Sequence, residues 1–146
     1  MSLAFFAASR RGLILGDGDS MVAYPPANAG TDLLTLIAQR MKGGPSTRNI
    51  AVSGSSNGHA GYNTTPVPGF GYLHTGHNSY NTGVSGTVVH DTIAAVVTNW
   101  RNAGIAKIIV GTTFPGVDIT GANETRRVAG NALIVADKCG ADAVIE

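Results

Sequence analysis

The order of apolar segments along the chain is the feature that most restricts its fold. Five short apolar stretches alternate with segments of helical periodicity, the pattern of parallel strands joined by helical crossovers. Each stretch is nearly continuous rather than alternating with polar residues, which is typical of strands buried on both faces. The predicted strands are residues 12–16, 49–53, 71–75, 106–112 and 141–145. We therefore predict the α/β class: a three-layer α/β/α sandwich around a five-stranded parallel sheet.

Three segments between these strands carry apolar residues at helical spacing. The first begins at Thr31 or Asp32, which can cap it, and ends at Gly43 and Gly44. The second runs from about residue 87 to 103 and the third from about 123 to 140. The apolar side of the second is Val89, Ile93, Val96, Val97 and Trp100, and that of the third is Val128, Ala132, Val135 and Cys139. Residues 54–68 are rich in Gly, Ser, Asn, Thr and Pro and predict a loop.

Length and charge limit the class of protein further. A chain of 146 residues fits one domain, and a domain of this size holds a core without disulfide or metal staples. The single Cys139 excludes an intrachain disulfide and zinc sites built from cysteine pairs. A net charge of +1 makes nucleic acid an unsuitable partner. No apolar run reaches the roughly 18 residues of a membrane span, so we expect no membrane partner.

The sequence carries no recognisable cofactor motif. Gly16 and Gly18 lack the third glycine of a dinucleotide fingerprint, and the chain has no Gly-Lys-Ser/Thr phosphate loop. Asp17 and Asp19 follow the first strand as in metal-binding receiver-type domains, but no lysine ends the fifth predicted strand to support that reading. We therefore expect neither a cofactor nor a metal, although the four histidines leave a metal site built from His and Asp formally open.

Polar, glycine-rich turns follow the first three predicted strands. Because ligands of an open parallel sheet bind at the carboxyl ends of its strands, these turns are expected to converge. Ser20 offers a hydroxyl on a tight turn, Gly54 a backbone N–H and Asn78 a side-chain amide, which are the parts of a serine hydrolase site. Each of these residues alone is more often a turn or capping residue.

Taken together and in chain order, these turns resemble a known family. Residues 13–20 are similar to the first sequence block of the SGNH (GDSL-type) hydrolases, residues 49–54 to the second, and residues 73–78 to the third. The resemblance implies a serine esterase with Ser20 as nucleophile and Gly54 and Asn78 as oxyanion donors. It also implies the strand order 2-1-3-4-5 and favours a small-molecule or carbohydrate ester, above all an acetylated carbohydrate, as the substrate.

The chain departs from the family pattern in two places. Ser79 stands where the third block of the family usually has an aspartate that supports the loop. The family's fourth block, Asp-x-x-His, supplies the general base, and no Asp stands three residues before a His in residues 1–146. We therefore expect a single SGNH-like domain, residues 1–146, truncated at its C-terminal end. In the family a closing helix covers one face of the sheet. Without that helix, the apolar face it would cover is expected to favour self-association or docking with the rest of a longer protein.

Two sources of the base stay open. One is a histidine beyond Glu146, and the other is a histidine of this chain, for which His77 is the first choice because it adjoins Asn78. His59 also lies in a predicted loop, whereas the positions of His74 in a strand and His90 in a helix suit a base less well.

The missing block also sets the expected activity. Residues 1–146 are expected to hydrolyse a simple acetyl ester slowly or not at all, since an unassisted serine hydroxyl is a weak nucleophile. The alternative function is a catalytically degenerate carbohydrate-binding or structural module of the same fold. Charged residues make up 13% of the chain against an average of about 25%, a surface that suits carbohydrate or the outside of a cell or particle.

Overall fold

The computed structural model describes residues 13–18, 46–49 and 68–146. The strands in these ranges are β1 (Leu13–Gly18), β2 (Ser46–Asn49), β3 (Phe70–His74), β4 (Lys107–Gly111) and β5 (Ala143–Ile145). The helices are α1 (His77–Asn81), α2 (Gly86–Asn102) and α3 (Ala122–Asp137), followed by a 3₁₀ helix at Lys138–Gly140. Among the described helices, none has the length and apolar character needed to cross a bilayer.

The strands form one parallel sheet in the order β2-β1-β3-β4-β5. This confirms the predicted α/β class, the parallel pairing and the strand order. Gly18 at the end of β1 pairs with His74 at the end of β3, and His74 pairs with Gly111 at the end of β4. The carboxyl ends of the three central strands therefore align at one edge of the sheet.

All five strands differ from their predicted bounds, β3 and β4 by one residue at each end and the other three by more. β5 begins at Ala143 instead of residue 141. β1 continues to Gly18, and the buried Asp17 carboxylate accepts a hydrogen bond from the Gly18 backbone N–H at 2.8 Å. β2 begins at Ser46 instead of residue 49, while residues 50–53 lie outside the described ranges. Since β2 is an edge strand of the described sheet, one of its sides needs no partner strand, and a polar segment can form it.

The core lies between α2 and one face of the sheet. The predicted helix 87–103 is confirmed to within one residue: Ser85 caps it through a 3.3 Å hydrogen bond from the Val88 backbone N–H, and the chain turns at Gly104. All five predicted apolar residues of this helix are buried. They belong to the same buried cluster as the sheet residues Leu15, Leu73, Ile108 and Val110.

The opposite face of the sheet is also covered. Phe70, Tyr72 and His74 alternate with Gly71 and Leu73 along β3 and are buried as well. This burial is what the predicted three-layer arrangement requires. The first predicted helix, between Thr31 and Gly44, lies outside the described residues.

The buried side of α3 is not the one that apolar periodicity predicts. Val128 and Val135 are 54% and 39% exposed, whereas Gly130 and Ile134 are buried. A Cβ atom at Gly86 of α2 would lie 2.5 Å from the Gly130 backbone nitrogen, so the two helices touch through glycines. Of the predicted side, Cys139 is buried as expected, in the 3₁₀ helix that follows α3. Within α3 the prediction was wrong because glycine adds nothing to an apolar pattern even where it forms the contact.

Asp142 fastens the start of β5 to two other elements. Its carboxylate accepts hydrogen bonds from Ile108 N at 2.7 Å, Arg101 Nη2 at 2.6 Å and Lys107 Nζ at 3.3 Å. Partial burial raises the pKa of Asp142, but these hydrogen bonds outweigh burial and hold the pKa below its ordinary value. The resulting stabilisation is complete above the pKa of an unfolded aspartate, about 3.9, and is lost as the pH falls through the lower pKa of the folded protein.

Replacing Asp142 by asparagine is expected to lower the free energy of unfolding by about 1 kcal/mol at neutral pH, the scale of a partly exposed ion pair. The difference from the wild type should shrink in acid, where the Asp142 carboxyl group is protonated and uncharged, as the asparagine amide is. Urea unfolding at neutral and acidic pH measures this, with the exposed Glu146→Gln as control. An equal loss at both pH values would contradict the assignment.

Candidate hydrolase site

The chain turns sharply from β3 into α1 at Gly76. This residue has a φ of 118°, and a Cβ atom there would lie 2.7 Å from Thr113 Oγ1. Glycine adopts this conformation without steric penalty and leaves room for the threonine. As a result α1 begins directly at the carboxyl end of β3, with His77 and Asn78 as its first two residues. The sequence predicts a turn here, and the structure forms it as a short helix.

Hydrogen bonds hold the backbone of α1 in place. The Tyr80 backbone N–H donates to Gly76 O at 2.9 Å, and Thr82 Oγ1 donates to the carbonyl oxygens of Asn78 and Ser79, at 3.0 Å each. Asn78 is half-buried, whereas Ser79 is buried. The serine that replaces the family's aspartate therefore lies on the inner side of this helix.

His77 pairs with a carboxylate that the sequence analysis did not identify. Its Nε2 lies 3.0 Å from Asp118 Oδ2, although the two residues are 41 positions apart. The His77 side chain is 19% exposed and that of Asp118 45%. The hydrogen bond from His77 lowers the pKa of Asp118 below its ordinary value, so this carboxylate is charged at neutral pH. The arrangement is an imidazole held by an anionic partner.

Asp118 belongs to the segment between β4 and α3, which is anchored at its start. Thr113 Oγ1 donates to Thr75 O at 3.0 Å and so links the ends of β3 and β4. The Thr113 carbonyl accepts from Arg127 Nη1 at 2.7 Å and Asn131 Nδ2 at 2.8 Å, both from α3. Further along, a Cβ atom at Gly116 would lie 2.5 Å from His77 Cε1, so this segment and the imidazole ring are in close contact.

The other histidines of the described ranges, His74 and His90, contact a backbone carbonyl and surface carboxylates outside the candidate site. His74 lies in β3, is buried, and its Nε2 donates to Thr112 O at 2.9 Å. His90 lies in α2 and contacts Asp91 and Asp137. These positions agree with the predicted strand and helix. His59 lies outside the described residues.

Ser20 and Gly54 also lie outside the described residues. The structure therefore brings His77 next to Asn78 at the carboxyl edge, while the convergence of Asn78 with Ser20 and Gly54 stays a prediction. Asp118 had one signal in the sequence, its position after the fourth predicted strand. Its contact with His77 depends on the packing of the segment after β4 against α1, which local patterns do not encode.

The chain is similar to several solved structures. A member of the lipolytic protein G-D-S-L family from Veillonella parvula DSM 2008 has a TM-score of 0.71 at 14% identity, over 90% of this chain and 75% of that chain. AlinE4, an SGNH-hydrolase family esterase, has a TM-score of 0.69 at 17% identity, over 94% and 77%. TesA has a TM-score of 0.63 at 17% identity, over 86% and 74%.

No protein-family model matches the chain, and no curated protein is similar to it in sequence. The likeness to these structures is thus one of overall architecture, at low sequence identity. The chain therefore has the α/β fold of the SGNH (GDSL-type) hydrolases, the family that its three sequence blocks resemble.

Proposed function

We propose that the protein is a serine ester hydrolase of the SGNH type, with Ser20 as nucleophile and Gly54 and Asn78 as oxyanion donors. The observation that carries the proposal is the register of β1 and β3, in which Gly18 pairs with His74. Ser20 follows Gly18 by two residues, a reach of at most about 7 Å, and neighbouring strands lie about 4.8 Å apart. Asn78 follows His74 by four residues. The chain connectivity thus favours a hydroxyl and an amide at the same edge.

The reaction follows from these roles. Ser20 Oγ attacks the ester carbonyl carbon and passes its proton to a base, while the carbonyl oxygen becomes an oxyanion. The Gly54 N–H and the Asn78 amide would donate to this oxygen. The bond to the alcohol then breaks, and the alcohol leaves with the proton from the base. Water hydrolyses the acyl-serine by the same steps and releases the acid.

His77 is the candidate base among the described residues. With Nε2 donating to Asp118, the nitrogen that would take the serine proton is Nδ1. The negative charge of Asp118 would stabilise the imidazolium that forms, as the carboxylate does in other nucleophile–base–acid triads. The alternative base is the histidine of an Asp-x-x-His block after Glu146, and the variants below distinguish the two.

The proposed substrate is an acetylated carbohydrate. The low charge of the chain, 13% charged residues, suits a neutral, hydroxyl-rich ligand. Phe114 follows β4 at this edge and is 43% exposed, which provides an aromatic ring against which a sugar can pack. Turnover of an acetylated oligosaccharide supports this substrate class, whereas binding without turnover would indicate the degenerate carbohydrate-binding module.

Asn78→Ala is expected to lower kcat by about 10²–10³-fold, the usual effect of removing one oxyanion donor, and to change KM little. The assay is hydrolysis of an activated acetyl ester such as p-nitrophenyl acetate. Asn81→Ala, an exposed asparagine at the end of the same helix, is the matched control and should retain the wild-type rate. Equal effects of the two variants would remove Asn78 from the mechanism.

Asp118→Asn is expected to lower kcat at least about tenfold, because an amide stabilises the imidazolium less than a carboxylate does. His77→Gln should lower kcat further, and Asp118→Glu should restore part of the activity lost in Asp118→Asn. KM should change little in each variant. If His77→Gln and Asp118→Asn both hydrolyse the ester at the wild-type rate, the base is not His77.

A further inference from the structure

We propose that a divalent transition-metal ion such as Zn²⁺ binds where α2 meets the 3₁₀ helix, with His90 Nε2, the Asp137 carboxylate and Cys139 Sγ as ligands. These donor atoms all lie within 4.8 Å of one another. Imidazole nitrogen, carboxylate oxygen and thiolate sulfur are the donors that zinc takes in proteins. None of the three residues belongs to the candidate hydrolase site.

The spacing of the donor atoms is close to that of a metal site. Ligands at 2.0–2.3 Å from a tetrahedral zinc ion lie about 3.3–3.7 Å from one another. His90 Nε2 lies 3.0 Å from Asp137 Oδ1 and 2.9 Å from Oδ2, so this pair need only open slightly. The sulfur, which lies within 4.8 Å of the other two donor atoms, must approach them by up to about 1.2 Å, leaving a fourth position for water.

Asp91 contacts the ring nitrogen of His90 that does not face Asp137. Its Oδ1 lies 2.9 Å from His90 Nδ1, on the side of the ring away from Asp137. A neutral His90 with its proton on Nδ1 turns the Nε2 lone pair toward the Asp137 carboxylate. In this tautomer a second proton or a metal ion at Nε2 satisfies both the lone pair and the carboxylate. A carboxylate on the far nitrogen of a metal-binding histidine is the usual supporting arrangement.

The backbone brings the Cys139 sulfur toward this pair. Lys138 and Cys139 both have left-handed backbone conformations, with φ of 61° and 51°, which non-glycine residues rarely adopt in succession. Asp137 Oδ1 accepts a hydrogen bond from the Cys139 backbone N–H at 2.8 Å, which ties the turn to the cluster. The sulfur itself lies 3.8 Å from the His90 carbonyl oxygen.

The electrostatics of the cluster favour a cation. The carboxylates of Asp91 and Asp137 lie 2.9 Å and 3.0 Å from the two ring nitrogens of His90, so the cluster holds two negative charges. On binding, the ion forms a bond to the sulfur, and the thiol proton leaves to the solvent. The two positive charges of the ion then balance the thiolate and the Asp137 carboxylate that bind it.

The test is a Co²⁺ titration of the full chain after removal of metals with a chelator, followed by Zn²⁺ competition. We expect one Co²⁺ per chain, with thiolate-to-cobalt charge transfer and the intense visible bands of tetrahedral coordination. Asp91→Asn is expected to weaken binding about 10–100-fold, the usual effect of losing such a supporting partner. The control Glu146→Gln removes an exposed carboxylate outside the cluster and should bind Co²⁺ as the wild type does.

The Cys139→Ser variant tests whether the sulfur is a ligand of the bound ion. The serine variant should lose the charge-transfer band, with circular dichroism confirming that it is folded. Absence of saturable Co²⁺ binding by the wild type would overturn the proposal, as would an unchanged spectrum in Cys139→Ser. The cluster would then be an imidazolium paired with two carboxylates, which ¹⁵N NMR of His90 would show as a doubly protonated ring. These measurements do not depend on ester hydrolysis.

Discussion

Ser20→Ala is expected to reduce ester hydrolysis to the background rate, a loss of about 10³-fold or more in any preparation that turns over an activated acetyl ester. The reason is chemical: alanine has no oxygen to form the acyl intermediate, so oxyanion donors alone remain. The measurement is the steady-state rate with matched protein concentrations, on residues 1–146 and on any longer natural form.

Two comparisons make this result decisive. Thr98→Ala removes an exposed hydroxyl from α2 and should leave the rate unchanged. If residues 1–146 are active and His77→Gln abolishes that activity, the base lies within this chain; if only a longer form is active, the base comes from the family's fourth block. Activity that survives in Ser20→Ala would contradict the nucleophile assignment.

Trp100→Ala is expected to lower the free energy of unfolding by about 3–5 kcal/mol. Trp100 is completely buried and belongs to the core cluster between α2 and the sheet. A Cβ atom at Gly71 of β3 would lie 2.6 Å from its ring, so the ring fills the space above the strand. Removing it leaves a cavity that two rigid elements cannot close. Urea unfolding followed by circular dichroism measures the loss, since Trp100 is the sole tryptophan of the chain.

The indole N–H gives a second test of the same packing. Within the described residues, Trp100 Nε1 is buried without a hydrogen-bond partner. Trp100→Phe therefore removes no hydrogen bond and should cost less than about 2 kcal/mol, well below the alanine variant. Val88→Ala, at a position 53% exposed on the same helix, should change stability by less than about 0.5 kcal/mol. A loss below about 1 kcal/mol in Trp100→Ala would contradict this account of the core.

The parts of the fold that depend on buried apolar runs follow from the sequence. β3, β4 and α2 are strongly apolar on the faces they bury, and their predicted bounds differ from the observed ones by one residue. β2 and α3 are less predictable because their packing does not use a continuous apolar pattern. β2 is an edge strand whose described part is the polar segment Ser46–Asn49, and α3 contacts α2 through Gly130. The strand order came from the family resemblance rather than from periodicity.

The candidate site, too, is only partly predictable from the sequence. Asn78 and His77 lie directly after an apolar strand, so their place at the carboxyl edge is predictable from the β–α alternation. The partner of His77 is not, because Asp118 is 41 residues away and reaches the imidazole through the path of a loop. The cluster of His90, Asp137 and Cys139 is hidden for the same reason: its members belong to separate elements that meet only in the folded chain.

The most direct measurement is the location of a covalent adduct formed by a fluorophosphonate, a reagent that phosphonylates activated serines. The folded protein, in a form that turns over an activated acetyl ester, is treated with the reagent, digested, and analysed by mass spectrometry. The Ser20→Ala variant and the urea-unfolded protein are the controls. We expect one adduct per folded chain, on Ser20, and none in either control. An adduct on another serine, or an unlabelled Ser20 under conditions that label a known serine esterase completely, would contradict the assignment of this protein as a serine ester hydrolase.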